Sequence, residues 1–212
     1  MRAVYTSILG LIALFCSCTP STRYIIEGTT AKADGEHYYL FKGYELVDSA
    51  LITDGKYRFE GEIDSLVPTR NIGSTNLSDR WEMTRFTPII LEAGTIRVAE
   101  DDKSITGGLV VSGTKGNNAI RNFAIKGWDI QQRGEFVFSI DQREALAEEY
   151  NELVTKTISK NLDNFASLFL LSASGDRFTD SQKAEFLDRL SPAMKRTTAA
   201  EMLREEIETN NQ

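Results

Sequence analysis

Few residues in this sequence are of a type and spacing that could do chemistry. Gly108 to Lys115 (GLVVSGTK) has the glycine spacing of a phosphate-binding loop, but Thr114 precedes Lys115 instead of following it. In that order the ammonium misses the β- and γ-phosphates and the hydroxyl misses magnesium, so the segment reads as a strand end turning into a helix. Asp101 and Asp102 lack the spaced oxygen ligands of a calcium loop and read as a solvated turn. Glu148 and Glu152 share one helical face beside Glu149, and with no ligand partner marked in the sequence they read as an exposed acidic surface. His37 is the single histidine, which excludes an HExxH pair and leaves one candidate base for any Ser-His-Asp arrangement. Beside Tyr38 and Tyr39 it reads as a strand-start residue. No catalytic residue, metal ligand or cofactor site is assigned.

The two cysteines, Cys16 and Cys18, exclude more than they offer. There is no C-x-x-C redox pair, no cysteine zinc site and no disulfide framework, and residues this close rarely meet disulfide geometry. Their position is the informative feature. Arg2 is the only charge before Arg23, and Ala3 to Phe15 are apolar except for Thr6 and Ser7, the pattern of a secretory signal. Cys16 to Thr22 (CSCTPST) are too small and polar to complete a membrane span, which needs about 20 apolar residues. Leu14 to Cys18 (LFCSC) resembles a bacterial lipobox, with Phe15 and Cys16 departing from its commonest residues. That resemblance implies removal of residues 1–17 and attachment of diacylglycerol to Cys18, with residues 18–22 as a lipidated linker. Ordinary signal cleavage near Cys18 and an uncleaved anchor are the alternatives. No acidic cluster follows Cys18, so the expected location is the cell envelope, on the periplasmic side of the outer membrane, with the membrane as partner through the lipid.

The elements that would carry a site fall into two regions. The 212 residues are 41% hydrophobic and 26% charged with a net charge of −7, a composition that folds. Charge is spread evenly between the halves, so nothing marks a phosphate-neutralising face and nucleic acid is excluded as a partner. Eleven of the fifteen glycines and five of the seven tyrosines lie between Arg23 and Gly116. Alternation there predicts strands at Tyr24–Glu27, Tyr38–Lys42, Glu45–Thr53, Lys56–Glu62, Thr69–Ser74, Met83–Leu91, Thr95–Ala99 and Leu109–Ser112. Asp54-Gly55 supplies the positive φ angles of a type I′ hairpin, and Ala93-Gly94 is a second candidate turn. After Gly116 the period becomes helical, through Ile120, Phe123, Ala124 and Trp128 and then Leu146, Tyr150, Leu153 and Ile158. Asn117 is the expected N-cap of the first helix, and Ser139 with Gln142 and Thr179 with Gln182 resemble capping boxes. Phe165 to Leu171 form a short buried helix ending near Gly175, and Pro192 opens or breaks the last helical pair. The expected fold class is α+β: an antiparallel β-sandwich or small barrel over residues 23–115, followed by a small helical domain over residues 116–212.

The order of motifs is itself recognisable. The lipobox is followed by YIIEG (Tyr24 to Gly28), Asp34-Gly35, YYLFK (Tyr38 to Lys42), DSALI (Asp48 to Ile52), DGKYRFEG (Asp54 to Gly61), ILEAGTI (Ile90 to Ile96) and VSGTKGNN (Val111 to Asn118). Together these resemble the domain of unknown function at the N-terminus of Bacteroidetes thiol-disulfide interchange lipoproteins. NLDNFASLFLL (Asn161 to Leu171) and LSPAMK (Leu190 to Lys195) look like the helical linker that precedes their thioredoxin-like domain. The redox motif of that family lies on the thioredoxin-like domain, which has no counterpart before Gln212, so the resemblance carries over no catalytic residue.

The expected function is therefore a non-catalytic, periplasm-facing lipoprotein, an accessory, binding or scaffolding module with an envelope protein or an unknown ligand as partner. A part of a thiol-disulfide oxidoreductase lacking its catalytic domain is the alternative, and a carboxylate-based hydrolase the lesser one. The segment Asn71 to Arg85 supplies the expected contact residues, Trp81 and Arg85, on a loop of the β region, with the helices as packing elements. The competing role for Trp81 is to cover one end of the β core.

Overall fold

A computed structural model describes residues 22–63, 68–74, 86–100 and 109–210. Each predicted strand region holds a strand: β1 (Arg23–Thr29), β2 (His37–Lys42), β3 (Glu45–Leu51), β4 (Lys56–Glu62), β5 (Thr69–Gly73), β6 (Thr87–Ile90), β7 (Gly94–Glu100) and β8 (Leu109–Ser112). They form two four-stranded sheets, ordered β4-β1-β7-β8 and β3-β2-β5-β6. Alternation decides what lies between them. Tyr24, Ile26, Tyr57, Phe59, Ile96 and Val98 of the first sheet share one core with Tyr38, Leu40, Ile72 and Ile89 of the second. The class is α+β with a sandwich-like pair of sheets, as the sequence predicts.

Pairing departs from a purely antiparallel scheme at one place. β1 and β7 run parallel, with Tyr24 opposite Gly94 and Thr29 opposite Ala99. Alternation is the same for parallel and antiparallel partners, so the pattern of apolar residues does not distinguish them. Asp54 and Gly55 do take positive φ angles of 50° and 65°. Their turn carries the chain from β3 in one sheet to β4 in the other, with a bridge between Thr53 and Lys56. Ala93-Gly94 closes no hairpin, because β6 and β7 also belong to different sheets. Gly28 is required by close approach: a Cβ there would lie 1.9 Å from Cζ of Tyr57, whose ring covers β1 and stacks on Tyr38 at 4.0 Å.

Six helices follow: α1 (Lys115–Glu135), α2 (Ile140–Lys160), α3 (Phe165–Ala173), α4 (Asp180–Arg189), α5 (Pro192–Lys195) and α6 (Thr198–Asn210). Val154, Ile158, Leu168, Leu171, Phe186, Leu187, Leu203 and Ile207 form their core. Thr179 and Gln182 make the predicted capping box, and Pro192 opens α5. Ser139 is the N-cap of α2, but its side chain makes no capping bond. The buried face of α1 follows the predicted one through Ile120 and Phe123, which pack against the helical core, and departs from it at Trp128. Gly127 and Ile130 are buried and Trp128 is turned outward, because α1 packs on α2 through its glycines, with Tyr150 against Gly127 and Leu146 against Gly134.

Asn117 is not the N-cap of α1; Thr114 is. Asn117 lies inside the first turn, 3% exposed, and serves the sheet instead. Its amide Nδ2 donates to the carbonyl of Ile90 at 2.7 Å and to Oγ1 of Thr114 at 2.8 Å, while its Oδ1 accepts from Ile90 N–H at 3.0 Å. One side-chain amide thus completes both backbone groups of a strand-end residue, as a neighbouring strand would. The Glu92 carboxylate accepts from the N–H of Gly116 at 2.8 Å, placing negative charge at the N-terminus of α1. Asn117→Ala leaves both polar groups of Ile90 buried and unpaired, so urea unfolding should show a loss of about 2–6 kcal/mol at a cost of about 1–3 for each orphaned group. The exposed Asn122→Ala should stay within about 0.5 kcal/mol.

Candidate functional site

Of the residues the sequence singles out, Cys18, Trp81, Arg85, Asp101, Asp102 and Gly108 lie outside the described residues. His37 begins β2, half-buried, its ring stacked on Tyr39 with centroids 6.2 Å apart. Glu148 and Glu152 are exposed, whereas Glu149 accepts from Arg133 Nη2 at 2.6 Å, tying α2 to α1. Gly113, with φ of 100°, leads β8 through Thr114 into α1, the strand-to-helix turn the sequence predicts. Among the described residues no group of three or more His, Cys, Asp or Glu side chains gathers where it could hold a metal ion, and no helix is long and apolar enough to cross a membrane.

The helices position the surfaces that remain. Asn117 holds the start of α1 at Ile90, and residues further along it, Ile120, Phe123 and Ala124, line an apolar cleft of about 430 Å³ with Pro88, Leu109 and Val111. α1 therefore runs back along β6 and β8, away from the end of the sandwich where β1 begins and β8 finishes. Its 21 residues span about 31 Å, against about 23 Å for a seven-residue strand. From Gln131 to Glu149 no residue is buried. The turn between α1 and α2 exposes Phe136 at 77%, Phe138 at 88% and Ile140 at 73%. Three large apolar side chains grouped at the tip of a helical hairpin are an unusual exposure for a solvated surface. α3 to α6 all contribute residues to the helical core, whereas residues 131–149 contribute none.

A second polar cluster, unmarked in the sequence, sits at the end of β7. The Glu100 carboxylate accepts from the hydroxyl of Tyr38 at 2.8 Å, the N–H of Ala31 at 3.0 Å and the hydroxyl of Thr30. It joins β7 in one sheet to β2 in the other and pins the segment leaving β1. Partial burial raises its pKa, but the N–H of Ala31, the two hydroxyls and the nearby Lys32 charge outweigh this and hold it below the usual carboxylate value. Burial pushes Tyr38 up to about 12. Tyr57 is raised further, chiefly by burial and then by Tyr38 and Glu100, and its hydroxyl has no partner among the described residues. Phenols so raised are neutral donors at physiological pH, and a carboxylate so held is ionised. The arrangement is suited to clasping the sheets together and poorly suited to general acid catalysis, which needs a carboxyl kept protonated. Because the folded pKa of Glu100 lies below its unfolded value of about 4.3, its contribution to stability is present above that pH and is lost as pH falls through the folded pKa. Glu100→Gln should therefore be less stable than the parent chain at pH 7, and the gap should narrow as unfolding is measured from about pH 5 down to pH 3. A gap that stays constant with pH would show that the charge of Glu100 carries none of it.

Residues 24–120 match the family model described as a domain of unknown function, DUF4369. The match takes in strands of both sheets and runs into α1, so Asn117 falls inside it. No curated protein and no solved structure matches the chain.

Proposed function

We propose that this protein is a non-catalytic docking module of the bacterial cell envelope, anchored by lipid at Cys18 and engaging a protein partner through the α1–α2 hairpin. The observation that carries the reading is the exposed apolar turn Phe136–Ile140, at the far end of α1 from the junction where β8 leads into it. Arg23 follows Cys18 by five residues, a tether of at most about 18 Å. A chain held so closely at the β1 end presents its hairpin away from the anchoring bilayer. Large apolar side chains placed there suit a partner protein, since aromatic residues in a compact patch dominate association energetics.

The likeness to the domain preceding thioredoxin-like domains supports an accessory role beside redox proteins, with the activity belonging to the neighbour. Trp81 and Arg85 remain the contact residues proposed for the β region. A piece of a longer oxidoreductase is the second reading, favoured by the helical segments that resemble the family's linker.

Mass spectrometry of protein recovered from the envelope should find an acylated N-terminal Cys18 and no residues 1–17; an unmodified or different N-terminus removes the anchor from the proposal. A photo-crosslinking residue at Phe138 should yield a discrete protein adduct in cells, absent when it is placed at Glu148. Phe136→Ser with Phe138→Ser should abolish that adduct, formed from a neighbouring position, and leave unfolding within about 0.5 kcal/mol, as exposed sites do. Adducts only to lipid, or none, would overturn the docking role.

A further inference from the structure

A concentration of positive charge on this acidic chain lies between α1 and α2. Lys115, Asn118, Asn122 and Lys126 repeat along one face of α1, and Lys156, Thr157, Lys160 and Asn161 along the facing side of α2. Between the two helices they line a groove of about 370 Å³ whose floor is apolar, with Ala119, Phe123 and Leu153. Lys115 is paired with Asp163. Lys126, Lys156 and Lys160 are exposed and make no ion pair among the described residues. Glu152 precedes Lys156 by one turn and Asp129 follows Lys126 by three residues, yet neither lines the groove, and Asp129 is drawn to Arg133 at 3.3 Å.

Four ammonium groups line one groove, neighbouring ones repel one another, and among the described residues Asp163 is the one carboxylate paired with any of them. An anion bound between the helices would relieve that repulsion. The donors fit phosphate: ammonium groups act as point charges that need no bidentate fork, and the side-chain amides of Asn118 and Asn122 can add to the oxygen shell, while the Thr157 hydroxyl is spent on the carbonyl of Leu153. The apolar floor suits the carbon skeleton of a phosphate ester. We infer that the α1–α2 groove is a binding site for a phosphate-bearing ligand, either a lipid headgroup or a soluble phosphate ester. The inference is independent of the docking role of the hairpin tip.

The test uses the mature chain carrying Cys18→Ser, so that no acyl group contributes to membrane binding, and two probes at low ionic strength. Inorganic pyrophosphate is titrated calorimetrically, and cosedimentation is measured with phosphatidylcholine vesicles with and without phosphatidylglycerol. Saturable pyrophosphate binding should weaken at least tenfold in Lys126→Gln/Lys156→Gln/Lys160→Gln, and it should change less than twofold when the same substitution is made at Lys32, Lys56 and Lys195. Binding to the anionic vesicles that the groove variant loses assigns the site to a headgroup; pyrophosphate binding without vesicle binding assigns it to a soluble ester. Circular dichroism and the unfolding midpoint establish that each variant is folded. Absence of saturable binding to either probe, or equal loss in both triple variants, overturns the inference.

Discussion

Every surface described depends on one buried amide. Asn117 gives its side chain to both backbone groups of Ile90 and to the hydroxyl of Thr114, and by doing so fixes where α1 leaves the sandwich and in which direction. A strand-end residue buried beneath a helix has no water to pair with, so an unfilled N–H or C=O there is costly and the first turn of α1 is constrained to one position. Glu92 reinforces it from the strand side by accepting from the N–H of Gly116, where a side chain in place of the glycine would collide with the same carboxylate. The apolar cleft, the lysine groove and the exposed tip all follow from the placement of that turn, because each lies on α1 or between α1 and its neighbours.

The far end of the sandwich is held by a different device. Tyr57 can lie against β1 because residue 28 has no side chain, and its stacking on Tyr38 brings the hydroxyl of Tyr38 toward Glu100. The carboxylate is charged, yet it is served by three donors, so its desolvation is offset. The two sheets are thereby joined at that end by hydrogen bonds as well as by apolar contact. This is a structural use of the very residue types, a carboxylate beside two phenols, that elsewhere serve proton transfer, and the direction in which each is shifted separates the two uses.

The hairpin of α1 and α2 combines features that stability alone does not explain. Its inner half packs Gly127 against Tyr150 and lines a groove with lysines, while its outer half holds no fully buried residue and ends in Phe136, Phe138 and Ile140. A helical pair kept only for packing would place its apolar residues on the shared face and its charges outward. Here Phe123 meets Tyr150 on the shared face, but further large apolar residues stand exposed at the tip, and several positive charges line the groove.

The sequence by itself determined the elements and their chemistry: eight strand regions, the positive-φ turn at Asp54-Gly55, the capping box at Thr179, the division between sheet and helix, and the absence of a cysteine redox pair. These are local properties, set by alternation, turn stereochemistry and residue type, and they need no partner to be read. Tertiary structure alone decided the parallel pairing of β1 with β7, the passage of two turns between sheets, the use of Asn117 as a false strand, the partners of Glu100 and the outward face of Trp128. Each depends on a residue distant in the chain. Asn117 in GNN has the look of a helix cap because capping is the local use of an amide, and only the arrival of Ile90, 27 residues earlier in sequence, turns the same group toward the sheet. The lysines were visible singly, but helical period places them on one face only after the antiparallel packing of α1 and α2 brings the two faces together.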